Sequence, residues 1–152
     1  ANGRYPIESV AMMQRIILYT QSNSNVRAQF TDAHEYSVTE AIASVIIELA
    51  SKVDATAIVA ETQSGKTAQS ISGWRPSLPI LVVTPEIRIA QQLALLYGSV
   101  CFVRPPHTHA ATRLTDWLLE LKILKKGNKI VTASGKYSSV GGTDTIKVRV
   151  LE

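Results

Sequence analysis

The sequence predicts an α/β protein: three layers, with helices on both faces of a mostly parallel five-stranded sheet and the last strand antiparallel at or near the edge. Two observations carry this. Stretches with apolar residues at helical spacing alternate along the chain with short runs that are apolar throughout, the order expected of strand–helix–strand units. The final apolar segment, by contrast, alternates with charged residues, as an edge strand does when one of its faces meets solvent.

The elements follow in order. Pro6 suits the first turn of a helix, and Ile7, Val10, Ala11, Ile17 and Leu18 give it an apolar stripe. Gln21 to Asp32 is polar and dense in Ser and Asn, and reads as a linker. A short apolar helix followed by such a linker suggests the tail of a preceding domain, over residues 1–22, with the linker over 23–36 and the main domain over 37–152. Ser37-Val38-Thr39-Glu40 is a capping-box pattern, in which a hydroxyl and a carboxylate satisfy free amides reciprocally. Ile42, Val45, Ile46, Leu49 and Val53 continue that helix to about Lys52–Asp54. Ala57 to Ala60 is a buried strand, Thr62 to Thr67 a turn, and Ala68 to Ser72 the start of a helix. Pro79 and Pro85 bracket Ile80-Leu81-Val82-Val83, whose lack of polar alternation places it inside a parallel sheet. Ile89, Leu93, Leu96 and Tyr97 predict a helix stopped by Gly98, and Val100 to Val103 a strand. Leu114, Trp117, Leu118, Leu121 and Leu124 predict a helix ending at Gly127, before a strand at Ile130–Ala133. Ile146, Val148 and Val150, alternating with Lys147 and Arg149, form the last strand.

Composition narrows the function. The chain has 152 residues, 45% hydrophobic and 18% charged, with a formal net charge of +4, enough for one domain with its own core. Its basic residues are scattered rather than clustered, and its aromatics form no stacking platform, which argues against a nucleic-acid partner. No apolar run is long enough to span a bilayer, and Ala1 to Pro6 does not read as a signal peptide, so no membrane is expected and the cytoplasm is the default location. The lone Cys101 reads as a small buried apolar residue. His34, His107 and His109 lack a metal-ligand pattern, and there is no nucleophile elbow, so neither a metal site nor a catalytic residue is predicted.

The strongest candidate site is Thr62-Gln63-Ser64-Gly65-Lys66-Thr67. It lies between a buried strand and a helix start, where free backbone amides and the positive helix end favour an anion. Hydroxyls at Thr62, Ser64 and Thr67, the close approach allowed by Gly65 and the charge of Lys66 together suit a phosphate group. An ordinary turn with hydroxyl caps is the competing reading. Ala60 to Thr67 falls short of a nucleotide P-loop, because Ala60 stands where glycine is needed and Glu61 places a carboxylate beside the phosphates. Thr67 is expected to face solvent. A second candidate is the Gly- and hydroxyl-rich connection Ser134 to Thr145, too long for a tight hairpin and able to close over an anion with Lys136 and backbone amides; a floppy hairpin tip is the competing reading.

Taken together, these residues resemble the C-terminal domain of pyruvate kinases. The resemblance rests on Thr39-Glu40-Ala41-Ile42-Ala43, Thr62 to Ala68, Trp74-Arg75-Pro76 leading to Pro79–Thr84, Gln91 to Val100, Lys125-Lys126-Gly127-Asn128 and Gly142-Thr143-Asp144-Thr145. Asn2 to Val10 is similar to the end of the family's catalytic barrel. The resemblance implies that the barrel, upstream of this chain, transfers phosphate from phosphoenolpyruvate to ADP with magnesium or manganese and potassium. It implies no cofactor and no phosphoryl-transfer activity for the chain alone. It further implies a domain that binds a phosphorylated metabolite, packs against its own barrel and contributes to a homo-tetramer. The effector-phosphate loop would be Thr62, Gln63, Ser64, Gly65, Lys66 and Thr67. The flap would be Lys136, Tyr137, Ser138, Ser139, Gly141, Gly142 and Thr143. The segment from Arg104 to Leu114 is short, offers no match for a second phosphate site, and the flap lacks arginine. The expected effector is a sugar phosphate or nucleotide monophosphate; the departure points to a monophosphate or to no effector, and a subunit-contact domain that binds none is the alternative.

Overall fold

A computed structural model of the chain describes residues 3–23, 36–135 and 142–152. Within them, five helices and five strands run in the order α1 (Pro6–Asn23), α2 (Val38–Lys52), β1 (Ala57–Glu61), α3 (Lys66–Gly73), β2 (Ile80–Thr84), α4 (Ile87–Leu93), β3 (Ser99–Val103), α5 (Ala110–Glu120), β4 (Lys129–Ser134) and β5 (Thr145–Val150). The sheet order is β3-β2-β1-β4-β5, parallel except for β5, which runs antiparallel to β4 at the edge. The fold is therefore the predicted α/β one.

Side-chain alternation along the central strands divides the core in two. Ile58, Ala60, Ile80, Val82, Val131 and Ala133 face α2, α3 and α4, against Ile46, Ile71 and Leu93. Ala57, Val59, Leu81, Val83 and Ile130 face α5, against Leu114 and Leu118. Both faces being covered is why Ala57–Ala60 of β1 and Ile80–Val83 of β2 are apolar throughout. The capping box at α2 is present: Ser37 Oγ accepts from the Glu40 amide, and the Glu40 carboxylate accepts from the Ser37 amide at 2.9 Å. All side chains of α1 are exposed, including Ile7, Val10, Ile16, Ile17 and Leu18.

Three boundaries differ from the sequence expectation. Helix α3 begins at Lys66, so Lys66 and Thr67 form its first turn. Helix α4 stops at Leu93, well before Gly98, which instead turns the chain into β3 with φ of 68°. Helix α5 ends at Glu120, because Lys122 adopts a left-handed φ of 59° and the Ile123 and Leu124 amides both bond back to the Leu118 carbonyl. That reversal buries Leu124 in the core beside α5 rather than in another helical turn. The last strand also inverts the simplest reading of its pattern. Val148 and Val150 are exposed, whereas Arg149 turns inward to Asp116 and Thr115 on α5.

Candidate functional site: an anion loop at the carboxyl ends of the strands

In a sheet ordered β3-β2-β1-β4-β5 the winding reverses at β1, and the crevice beyond the strand ends at such a reversal is where α/β proteins place ligands. A cavity of about 120 Å³ lies there. Its walls come from four separate connections: Glu61–Ser64 and Thr67 after β1, Val83–Pro85 at the end of β2, Arg104–His107 with Ala110 after β3, and Gly135 with Gly142 after β4.

The loop after β1 is shaped by two local interactions. Thr62 Oγ1 accepts from the Gly65 amide at 2.9 Å, folding the turn back on itself, and Gly65 holds φ at 85°. A side chain at Gly65 would meet Leu93 Cδ2 at 3.1 Å, so only glycine lets the turn sit this close to α4. Of the residues expected to hold phosphate, Thr62, Gln63, Ser64 and Thr67 line the cavity. Gly65 is buried beneath the turn, and Lys66 is exposed without lining the cavity. Gln63 and Ser64 are also exposed, leaving their polar groups accessible.

Thr67 corrects an expectation. It is buried rather than solvent-facing, and its hydroxyl lies 2.6 Å from that of Thr143. The early start of α3 turns this side chain toward the connection between β4 and β5. Gly142 lines the cavity and Thr143 bonds to Thr67, so this end of the expected flap meets the loop. At its other end a side chain on Gly135 would collide with the Gly142 carbonyl, so the two glycines pinch the base of the connection together. Lys136, Tyr137, Ser138, Ser139 and Gly141 lie outside the described residues.

Sequence reasoning missed the cavity residues after β3. Arg104 follows β3 directly, its guanidinium held 4.1 Å over the Trp117 ring, which in turn packs edge-on against Phe102. His107 lines the same cavity, its Nδ1 accepting from the His109 amide at 3.0 Å. The available signal was positional, since the residue after each parallel strand lands at this crevice. Glu61 is the third omission. Its Oε2 accepts from the Ala111 amide at 3.2 Å, which caps a helix whose own N-cap residue, His109, makes no side-chain cap. Burial pushes the Glu61 carboxyl above its ordinary range, partly offset by the Ala111 amide and the nearby His109 and His107. Among the described residues no group of three or more His, Cys, Asp or Glu side chains could hold a metal, so no cation chemistry is assigned to them. Nor is any of their helices long and apolar enough to cross a membrane.

The arrangement suits an anion at the loop, with Pro85, Pro105, Pro106 and Arg104 in the same cavity. Residues 40–149 match the family model described as the pyruvate kinase alpha/beta domain. The chain belongs to the pyruvate kinase family. It is 31% identical over 159 aligned positions to a pyruvate kinase of Geobacillus stearothermophilus, covering 99% of this chain and 27% of that protein. It is 31% identical over 156 positions to pyruvate kinase 2 of Synechocystis, covering 100% and 26%. A crystal structure of a pyruvate kinase from Cryptosporidium parvum superposes on all of this chain and 31% of that one, with a TM-score of 0.75 at 25% identity. The chain thus spans about a quarter to a third of the length of the pyruvate kinases it matches, and it is their C-terminal domain.

Proposed function

We propose that this chain is the regulatory and assembly domain of a full-length pyruvate kinase, binding a phosphorylated metabolite at Thr62–Thr67. The whole enzyme, in this reading, is cytoplasmic and transfers the phosphoryl group of phosphoenolpyruvate to ADP in its barrel, using magnesium or manganese and potassium there. The isolated chain, lacking that barrel, does not turn over phosphoenolpyruvate.

One observation carries the reading. The turn after β1 and Arg104 line one cavity, whose lining includes Gly142 at the end of the β4–β5 connection. A phosphate at the turn would take hydroxyls from Thr62 and Ser64 and unpaired amides from the first turn of α3, with Lys66 adding long-range attraction. The remainder of a monophosphate ligand would lie along Pro85, Pro105 and Pro106 toward Arg104. The calorimetric test titrates the chain with a panel of sugar monophosphates, sugar bisphosphates and nucleoside monophosphates. Saturable binding that weakens in Ser64→Ala and in Arg104→Ala supports the site. Binding of every compound unaffected by either change would dismiss it.

A second reading, a subunit-contact domain without an effector, is favoured by the exposed Val148 and Val150 on the edge strand β5. It becomes the better account if no phosphorylated compound binds and the full-length enzyme is a homo-tetramer that Val148→Lys dissociates.

A further inference from the structure

On the far side of Glu61 from the anion loop lies a second cavity, of about 90 Å³, between α5 and the β4–β5 ribbon. We propose that it is a separate binding site for a small inorganic oxyanion, of the size of phosphate or sulfate. The proposal does not depend on the effector reading, since the two cavities share only Glu61 and the second is otherwise lined by β4, β5 and α5 with the residues leading into it.

Register explains why the cavity is polar. On the antiparallel pair, Thr132 stands opposite Lys147 and Ser134 opposite Thr145, so these four side chains share one face with Arg149. That face looks toward α5, where Ile130, one turn of the pleat further along, already belongs to the apolar core. Hydrophobic packing therefore ends at Ile130, and hydroxyls and cations take over where the ribbon runs past α5. Thr112 and Thr115 supply further hydroxyls from the helix.

The charges are arranged unevenly. At one end Arg149 is neutralised, donating to Asp116 Oδ1 at 2.7 Å and to Thr115 Oγ1 at 2.9 Å. At the other end Glu61 is turned onto the Ala111 amide, with His109 beside it. Between them Lys147 lines the cavity and makes no ion pair among the described residues. The hydroxyls of Thr132 and Ser134 likewise make no hydrogen bond among the described residues. Lys147 is exposed and hydrated in the absence of a ligand, whereas an oxyanion accepts charge-assisted bonds from the ammonium and both hydroxyls together. The volume sets the ligand class. It is several times the ~10–15 Å³ needed to admit one water, which leaves room for an ion of phosphate's size.

The test follows backbone amide resonances of the chain during titration with inorganic phosphate, with chloride matching the ionic strength. Saturable shifts are expected at Thr132, Thr145 and Lys147, separable from any at Ser64–Thr67. Lys147→Met, which keeps the aliphatic stem, should raise the apparent Kd at these positions roughly tenfold or more, and the near-isosteric Thr132→Val should raise it less. Lys66→Met should leave them unchanged. The proposal is overturned if the three amides fail to saturate, if they titrate identically in Lys147→Met, or if their shifts follow Lys66→Met and so report the first site.

Discussion

The hydroxyls of Thr67 and Thr143, 76 positions apart in the sequence, lie 2.6 Å from each other in a buried contact. It fastens the first turn of α3 to the segment entering β5, so the loop after β1 and the Gly142 end of the β4–β5 connection cannot move independently without breaking a buried bond.

That contact makes Thr67 a structural position as well as a candidate ligand residue. Thr67→Val leaves the Thr143 hydroxyl buried without its partner and is expected to cost about 1–3 kcal/mol in urea unfolding. Thr67→Glu, which a solvent-facing position would tolerate, should cost more, because it places a carboxylate in a buried site. Equal stability of parent and Thr67→Val would show that the hydroxyl contact contributes nothing.

Gly65→Ala tests the turn itself. Its φ of 85° disfavours any side chain by roughly 1–2 kcal/mol, and the new methyl must also displace Leu93 Cδ2, 3.1 Å from where it would sit. The variant should unfold at lower urea concentration and bind phosphate more weakly at Ser64–Thr67. An unchanged unfolding midpoint would mean that the loop relaxes at no cost.

Glu61 predicts a pH dependence. Because burial raises its carboxyl in the folded state, the folded protein holds this proton more tightly than the unfolded chain, where the group titrates near about pH 4.3. Its contribution to stability is therefore fully present below that pH and is lost as pH rises through the folded-state value. Glu61→Gln keeps an acceptor for the Ala111 amide and removes the titration. The parent, measured against Glu61→Gln by unfolding between about pH 4 and 7, should lose relative stability as pH rises. A flat difference across that range would mean that burial does not strain this carboxylate.

Much of this was legible in the sequence because it depends on local chemistry. The Ser37–Glu40 capping box and the apolar runs at Ala57–Ala60 and Ile80–Val83 each follow from a few adjacent residues, and each appears where the pattern places it. So does the antiparallel edge strand, whose alternation marks it. What was not legible depends on partners distant in sequence. Thr67 looked exposed because nothing nearby announces Thr143, and Glu61 looked like an intruder beside a phosphate loop because Ala111 is 50 positions away. Arg104 drew no attention as one basic residue among many; its position comes from Trp117, on the next helix. The ends of α4 and α5 were overextended for a related reason. Leu96 and Leu124 keep the helical spacing, yet tertiary packing claims them from turns outside the helix.

The cavity at the strand ends is assembled from four connections, none of which contributes its lining residues to the two cores that hold the sheet together, apart from Val83 and Ala110. Replacements at exposed positions of these connections, such as Gln63 and Ser64, can therefore alter what the cavity accepts with little effect on folding, unlike those at the buried Gly65 and Thr67. On the proposed effector reading, the ligand preference of this domain can be exchanged a single loop at a time without rebuilding its sheet.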